Sequence, residues 1–211
     1  MTPLAWLLGI LATAAAVADW NAVARDHKRA VQVFKPLTLL ALLGLALAVA
    51  PRSEGQRDLF VAALLLGLTG DVFLMFSDRW FMPGLAAFLV GHLLYSAGFM
   101  AAGLQRPGIS RAEIPLVLVA AAVLGQIVGR LVRRRPGVAL AILCYGLALA
   151  GMAVLALASG SAIAAAGGIL FLASDAILAW NRFIRPLGWA PLVVIVTYHL
   201  AQGALALSLA R

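Results

Sequence analysis

Charge is scarce in this chain. Of 211 residues only 11% are Asp, Glu, Lys or Arg, and there are three histidines and one cysteine. The lone cysteine, Cys144, excludes an internal disulfide and, within its apolar run, reads as a small packing residue. Signatures of familiar hydrolases and metalloenzymes are missing as well. There is no HExxH, no histidine pair at ligand spacing on one helix and no GxSxG, and Cys144 has no evident histidine partner. Neither a metal nor another cofactor is therefore expected. A net charge of +8 invites nucleic acid, yet the Lys and Arg sit in short clusters without aromatic interleaving or a recognisable module, which excludes that partner.

Apolar residues fill the space, at 64% of the chain, well above the share in soluble domains. Eight runs stand out, at roughly 4–19, 32–50, 59–77, 81–104, 113–132, 138–158, 161–181 and 190–209. Each is near the ~20 residues needed to cross a hydrocarbon core of ~30 Å. Lipid offers the backbone no hydrogen-bonding partner, so continuous runs of this length predict helices. The expected fold is all-α, a polytopic membrane protein with eight transmembrane helices and a single integral membrane domain over residues 1–211. Ala16-Val17-Ala18 resembles a signal-peptidase site, but the opening MTPLAW has no basic side chain, so the first run is read as a true helix.

Loops after the odd-numbered runs hold eleven Lys and Arg, against five on the other side. The positive-inside rule then predicts both termini outside and the odd-numbered loops in the cytoplasm. Compact loops and Ala/Arg/Gly-rich usage suggest a bacterial inner membrane.

Asp71 interrupts this pattern. It lies within LLLGLTGDVFLMF, residues 64–76, with no basic residue within six positions. A counterpart appears 104 residues later. GDVFLMF followed by FLVGHLLYSAGF is matched by SDAILAW followed by VVIVTYHLAQGAL, which pairs Asp71 with Asp175 and His92 with His199. Lys35-Pro36 and Arg135-Pro136, each opening a run, keep the same order. Two parallel four-helix repeats, 1–106 and 107–211, around a central cleft are expected. Both aspartates then lie about six residues from the cytoplasmic ends of their runs, roughly 9 Å below the interface.

An ionisable group inside a span is costly enough to suggest function. The plainer alternative is packing, since Gly67, Gly70, Gly167 and Gly168 would let helices approach and the carboxylates would merely bond neighbours. Two carboxylates at matched depth favour function. Facing each other at low dielectric they repel, so one holds a proton beside an ionised partner. That arrangement cleaves acetals through oxocarbenium-like states, and a vinyl ether follows related chemistry. Acid protonates the β-carbon, the carboxylate steers water onto the α-carbon, and the hemiacetal collapses to aldehyde and alcohol.

Around them, His92, Tyr95, Ser96 and Phe99 share one helical face, and Tyr198 and Gln202 another. For His92 and His199, hydrogen bonding between helices is the favoured role, and ordering of the carboxylates is an addition to it. Lys35 and Arg182 are placed to meet a lipid phosphate at the interface, which would carry the first glycerol linkage toward the depth of the aspartates. A proton-coupled membrane transporter using the intramembrane Asp and His residues is the competing reading.

Several blocks, taken together, carry a resemblance. FKP at 34–36, GD at 70–71 with Leu74, GHLLYSAGF at 91–99, SDAILAWNRF at 174–183 and YHLAQ at 198–202 resemble the YhhN-like membrane proteins, which include lysoplasmalogenases. The resemblance implies an eight-span hydrolase that cleaves the vinyl ether of a lysophospholipid without a metal. The products would be a fatty aldehyde and glycerophosphoethanolamine or glycerophosphocholine. It places Asp71 and Asp175 at the catalytic centre. Lys35, His92, Tyr95, Ser174, Asn181, Arg182, Tyr198, His199 and Gln202 become candidates for binding substrate or ordering the carboxylates.

Overall fold

The computed structural model describes residues 2–105 and 114–210. Eight helices account for nearly all of them: α1 (Pro3–Ala24), α2 (Lys28–Ala48), α3 (Glu54–Met75), α4 (Phe81–Ala102), α5 (Ile114–Leu131), α6 (Pro136–Ala158), α7 (Ala162–Phe183) and α8 (Ala190–Leu207). A short 3-10 turn at Asp78–Trp80 leads into α4. The helices run from 18 to 23 residues, about 27–35 Å, so each spans a hydrocarbon core. This is an integral membrane protein.

Helix starts follow the local chemistry. Thr2, Ser53 and Ser161 accept hydrogen bonds from the backbone N–H three residues on, capping α1, α3 and α7. Proline enters the first turns of α1, α6 and α8, where its missing N–H costs nothing.

Among the boundaries that differ from the sequence expectation, two flank the α1–α2 turn. The first span continues to Ala24, so Asp19, expected at its end, is carried inside the bundle. The second begins at Lys28, which puts Pro36 in its interior and Lys35 more than one turn inside the helix. Polar residues near the α1–α2 turn hid both extensions, because hydropathy alone stops a span where polarity begins. The Thr38 hydroxyl donates to the Phe34 carbonyl at 2.9 Å beside the proline, one of the local adjustments that let membrane helices tolerate it. Arg135-Pro136 does open α6, so the two Lys/Arg-Pro landmarks occupy different helical positions.

Packing proceeds as a circuit. α2 packs on α3, α3 on α4, α4 on α6, α6 on α7, α7 on α8, and α8 returns to α2. α1 joins this circuit through α2 and α8, and α5 through α6 and α7. Solvent preference is inverted relative to a soluble protein. Leu4, Ile10, Leu118, Leu140 and Leu147 are exposed, while Asp19, Asp71, His92, His199 and Gln202 are buried. Only lipid as the outer solvent rewards that arrangement. Cys144 faces outward too, so it is not the small packing residue expected.

The α3–α4 contact decides where Asp71 sits. A Cβ at Gly70 would lie 2.6 Å from the Phe88 ring and 3.2 Å from the Gly84 carbonyl oxygen. Further along, a Cβ at Gly98 would lie 2.7 Å from the Phe60 ring, which is wedged edge-on against Tyr95 and Phe99. Phe60 has nowhere to go, so a side chain at Gly98 must push the helices apart. Gly98→Val is expected to destabilise the protein by about 1–3 kcal/mol, read as earlier thermal unfolding in detergent. Gly9→Val is the control, since nothing lies within 4 Å of a Cβ there, and its melting should match the unaltered protein.

Candidate functional site

Asp71 lies four residues before the end of α3 and Asp175 eight before the end of α7. Both line one cavity of about 610 Å³. Its walls are otherwise almost entirely apolar, with Phe88 from α4, Leu124 from α5, Ile142 from α6, Leu172 from α7 and Ile195 from α8 among them. Polar groups are few: the two aspartates, Lys35, Ser174, Arg182, and the tyrosines Tyr145 and Tyr198. A concave, mostly apolar volume with a few converging polar groups is the usual form of a small-molecule site.

The two carboxylates have different surroundings. Asp71 is fully buried. The Lys35 ammonium lies 2.8 Å from its Oδ1, and the Tyr198 hydroxyl donates to its Oδ2 at 2.8 Å. Lys35 also lies 5.7 Å above the Tyr198 ring, so cation, ring and carboxylate form one cluster. Behind Tyr198 the donors continue. Tyr95 donates to Gln202 Oε1 at 2.6 Å, and Gln202 Nε2 donates to the Tyr198 oxygen at 3.3 Å. α4 thereby supports α8, which supports Asp71 on α3.

Asp175 has no lysine or arginine partner among the described residues. Its Oδ2 accepts a short hydrogen bond from the Tyr145 hydroxyl. The Tyr145 oxygen in turn lies 3.0 Å from His92 Nε2, which is 3.6 Å from the same carboxylate oxygen. Because the tyrosine proton goes to Asp175, His92 Nε2–H is the donor in its contact with Tyr145. His92 is clamped edge-on between Tyr145 and Phe171, and its Nδ1 is buried without a partner.

The other candidates divide by position. The Arg182 guanidinium lines the cavity, lies 4.0 Å over the Phe81 ring and donates to Asp78, an almost fully exposed carboxylate, at 3.0 Å. Such a pair exchanges readily with another anion. The Ser174 hydroxyl donates to the Val194 carbonyl at 3.0 Å, joining α7 to α8. Asn181 does not reach the cavity; its Oδ1 accepts from the Leu187 N–H at 2.7 Å and closes the α7–α8 turn. His199 also misses the cavity and turns toward α1, where its Nδ1 accepts from Trp20 Nε1 at 3.2 Å. Lys35, expected to be free for phosphate, is held by Asp71 instead.

Tyr145 was not among the expected residues. A signal for it exists in the composition, because the chain has three tyrosines and all three hydrogen-bond in this network. Among the described residues no group of three or more His, Cys, Asp or Glu is arranged to hold a metal ion.

Chemically, the cavity offers a carboxylate paired with a lysine and a second carboxyl that accepts from the Tyr145 hydroxyl, with room for an apolar chain. Acid–base work on an apolar substrate fits that set.

Comparison with known proteins bears on the same residues. The YhhN family matches residues 31–209, which spans both aspartates and leaves all of α1 and the first three residues of α2 outside. Lysoplasmalogenase TMEM86B of Homo sapiens is 36% identical over 177 residues, covering 84% of this chain and 74% of the relative. The Sus scrofa protein of that name is 40% identical over the same shares. An Escherichia coli protein named uncharacterized membrane protein YhhN is 42% identical over 67 residues, 32% of each chain. No solved structure matches the chain.

Proposed function

The chain belongs to the YhhN family, and on that premise we propose that it is a lysoplasmalogenase, a membrane hydrolase that cleaves the vinyl ether of a lysophospholipid. The observation that carries the proposal is the pairing of Asp71 and Asp175 on the wall of one apolar cavity, with a lysine or arginine, among the described residues, on Asp71 alone. Two relatives named for this activity, at 36% and 40% identity over most of the chain, support the substrate class.

Roles follow from the surroundings. Asp175, bonded to Tyr145 and with no lysine or arginine partner among the described residues, is the acid that protonates the β-carbon of the vinyl ether. Asp71, held as a carboxylate by Lys35 and Tyr198, takes a proton from the water that adds to the α-carbon. Collapse of the hemiacetal reverses the two. Asp175 accepts the hemiacetal O–H proton as Asp71 protonates the departing glycerol oxygen, leaving a fatty aldehyde and a glycerophosphodiester such as glycerophosphoethanolamine or glycerophosphocholine. Each carboxyl then holds its original proton count, so no external acid or base enters the cycle.

The alkyl chain occupies the apolar part of the cavity, which lies within the common range of ligand pockets. The phosphate is met by Arg182, whose present partner Asp78 is exposed and exchangeable. The substrate therefore spans from Arg182 inward to the dyad, with the headgroup at the cytoplasmic face. The helix contacts also suit the two-repeat reading: α1–α2, α2–α3 and α3–α4 correspond to α5–α6, α6–α7 and α7–α8.

Purified protein in detergent, given an alkenyl lysophospholipid, is expected to release fatty aldehyde. An acyl lysophospholipid of equal chain length and headgroup should stay intact. Silence on the alkenyl substrate, combined with proton-driven flux in proteoliposomes, would replace this reading with the transporter.

A further inference from the structure

One cluster of buried groups takes no part in the chemistry above. Asp19 on α1 is entirely inaccessible, yet neither of its carboxylate oxygens has a hydrogen-bond partner. The nearest polar atom with the same deficit is His199 Nε2 on α8, 4.0 Å from Asp19 Oδ2. The tautomer of His199 is set by its other nitrogen. Nδ1 accepts from Trp20, so in the neutral ring Nε2 carries the hydrogen and is a donor without an acceptor. Three buried polar atoms on two packed helices thus lack partners around a single gap.

A deficit of this kind is costly in a membrane interior, where neither lipid nor bulk water can repair it. Internal water is the usual remedy, and it needs two or more polar partners. The geometry suits one molecule. A water with two hydrogen bonds of about 2.8 Å bridges a 4.0 Å gap when its two arms subtend about 90°.

The location links this gap to the dyad. α1 and α2 form a hairpin through the turn at Arg25–His27, so Asp19 and Lys35 lie at comparable depth on packed helices. Lys35 reaches Asp71, its charge also acts on Asp19 and His199, and the Tyr198 that donates to Asp71 is the chain neighbour of His199. Neither Asp19 nor His199 lines the apolar cavity. Hydrolysis consumes one water per turnover, and a cavity filled by an alkyl chain has little room to store it.

We propose that Asp19 and His199 hold an internal water, on the far side of Lys35 and Tyr198 from the alkyl cavity, and that this site supplies the water activated by Asp71. The supply role rests on the hydrolase reading above; the water site itself does not. Water and lipid substrate then approach the carboxylates from different sides. Asp19 acts through the water it binds, so it is a positioning residue.

X-ray radiolytic labelling read by mass spectrometry tests the site without any substrate. Hydroxyl radicals made from a bound water oxidise the side chains beside it. His199 is expected to be oxidised despite its burial, whereas Phe60, buried among aromatic rings, is not. Asp19→Leu should lower His199 oxidation to the Phe60 level, and Asp19→Asn, which keeps polar oxygen and nitrogen in place, should restore it. An unlabelled His199 in the unaltered protein overturns the site, as does an Asp19→Leu variant labelled like the unaltered protein. If the labelling result holds, aldehyde release tests the supply role. Asp19→Leu should lower kcat by about tenfold with KM near its original value, and Asp19→Asn should recover most of that loss. Loss of the label with kcat unchanged would overturn the supply role alone. Absence of aldehyde from the unaltered protein would count against the hydrolase reading and leave the water site standing.

Discussion

Asp175→Asn and Asp71→Asn are each expected to lower aldehyde release by about 10³-fold or more, within the range general acid–base groups command. Asparagine preserves shape and one acceptor oxygen but can neither deliver a proton to carbon nor remove one from water. The losses should fall on kcat, because neither carboxyl is asked to bind the alkyl chain. The double variant should be about as slow as the worse single one, since the two groups act as a unit and their effects do not add. Tyr145→Phe supplies a graded comparison. It removes the hydroxyl that bridges His92 to Asp175 but leaves both carboxyls in place, so its loss should be smaller than either Asp→Asn loss. Equal losses in Tyr145→Phe and Asp175→Asn would make Tyr145, not Asp175, the group that meets the substrate. Full activity in both Asp→Asn variants would remove the dyad from the mechanism.

The sequence made the helices and the carboxylate pair legible for different reasons. Lipid imposes a length and a composition on every span, so eight helices follow from counting apolar residues. Asp71 and Asp175 were visible because a carboxylate is conspicuous in such a run. What hydropathy cannot carry is which helix faces which. Lys35 looked like an interfacial cation because it lies near polar residues, and only the packing of α2 on α3 brings it to Asp71. Tyr145 was hidden by its chemistry. A tyrosine in a membrane span attracts little notice, and its link to Asp175 depends on how α6 and α7 are rotated. Asp19 escaped because the span was ended at the first acidic residue, although the helix continues to Ala24. His92 and His199 occupy matching places in the proposed repeat yet meet different partners, Tyr145 and Trp20.

Lys35→Met should be the most informative substitution away from the carboxylates, because it separates two roles for one cation. In the proposed mechanism the lysine, as the partner of Asp71, keeps that group ionised and ready to take a proton from water. Its removal strands a buried charge, which relieves itself by binding a proton and ceases to be a base. The expected result is a fall in kcat of about 10²-fold or more with KM little changed. Stability should fall as well. Breaking a fully buried pair costs about 3–5 kcal/mol, and the partial exposure of Lys35 reduces this to about 2 kcal/mol. Lys35→Met combined with Asp71→Asn removes the stranded charge, so thermal stability should recover much of the loss while activity stays absent. Were Lys35 instead a phosphate ligand, as its sequence position suggested, Lys35→Met would raise KM with kcat preserved, and adding Asp71→Asn would restore no stability. The 2.8 Å contact favours the first outcome, because an ammonium already engaged by a buried carboxylate must break that pair before it can bind an anion, whereas Arg182 gives up only an exposed one.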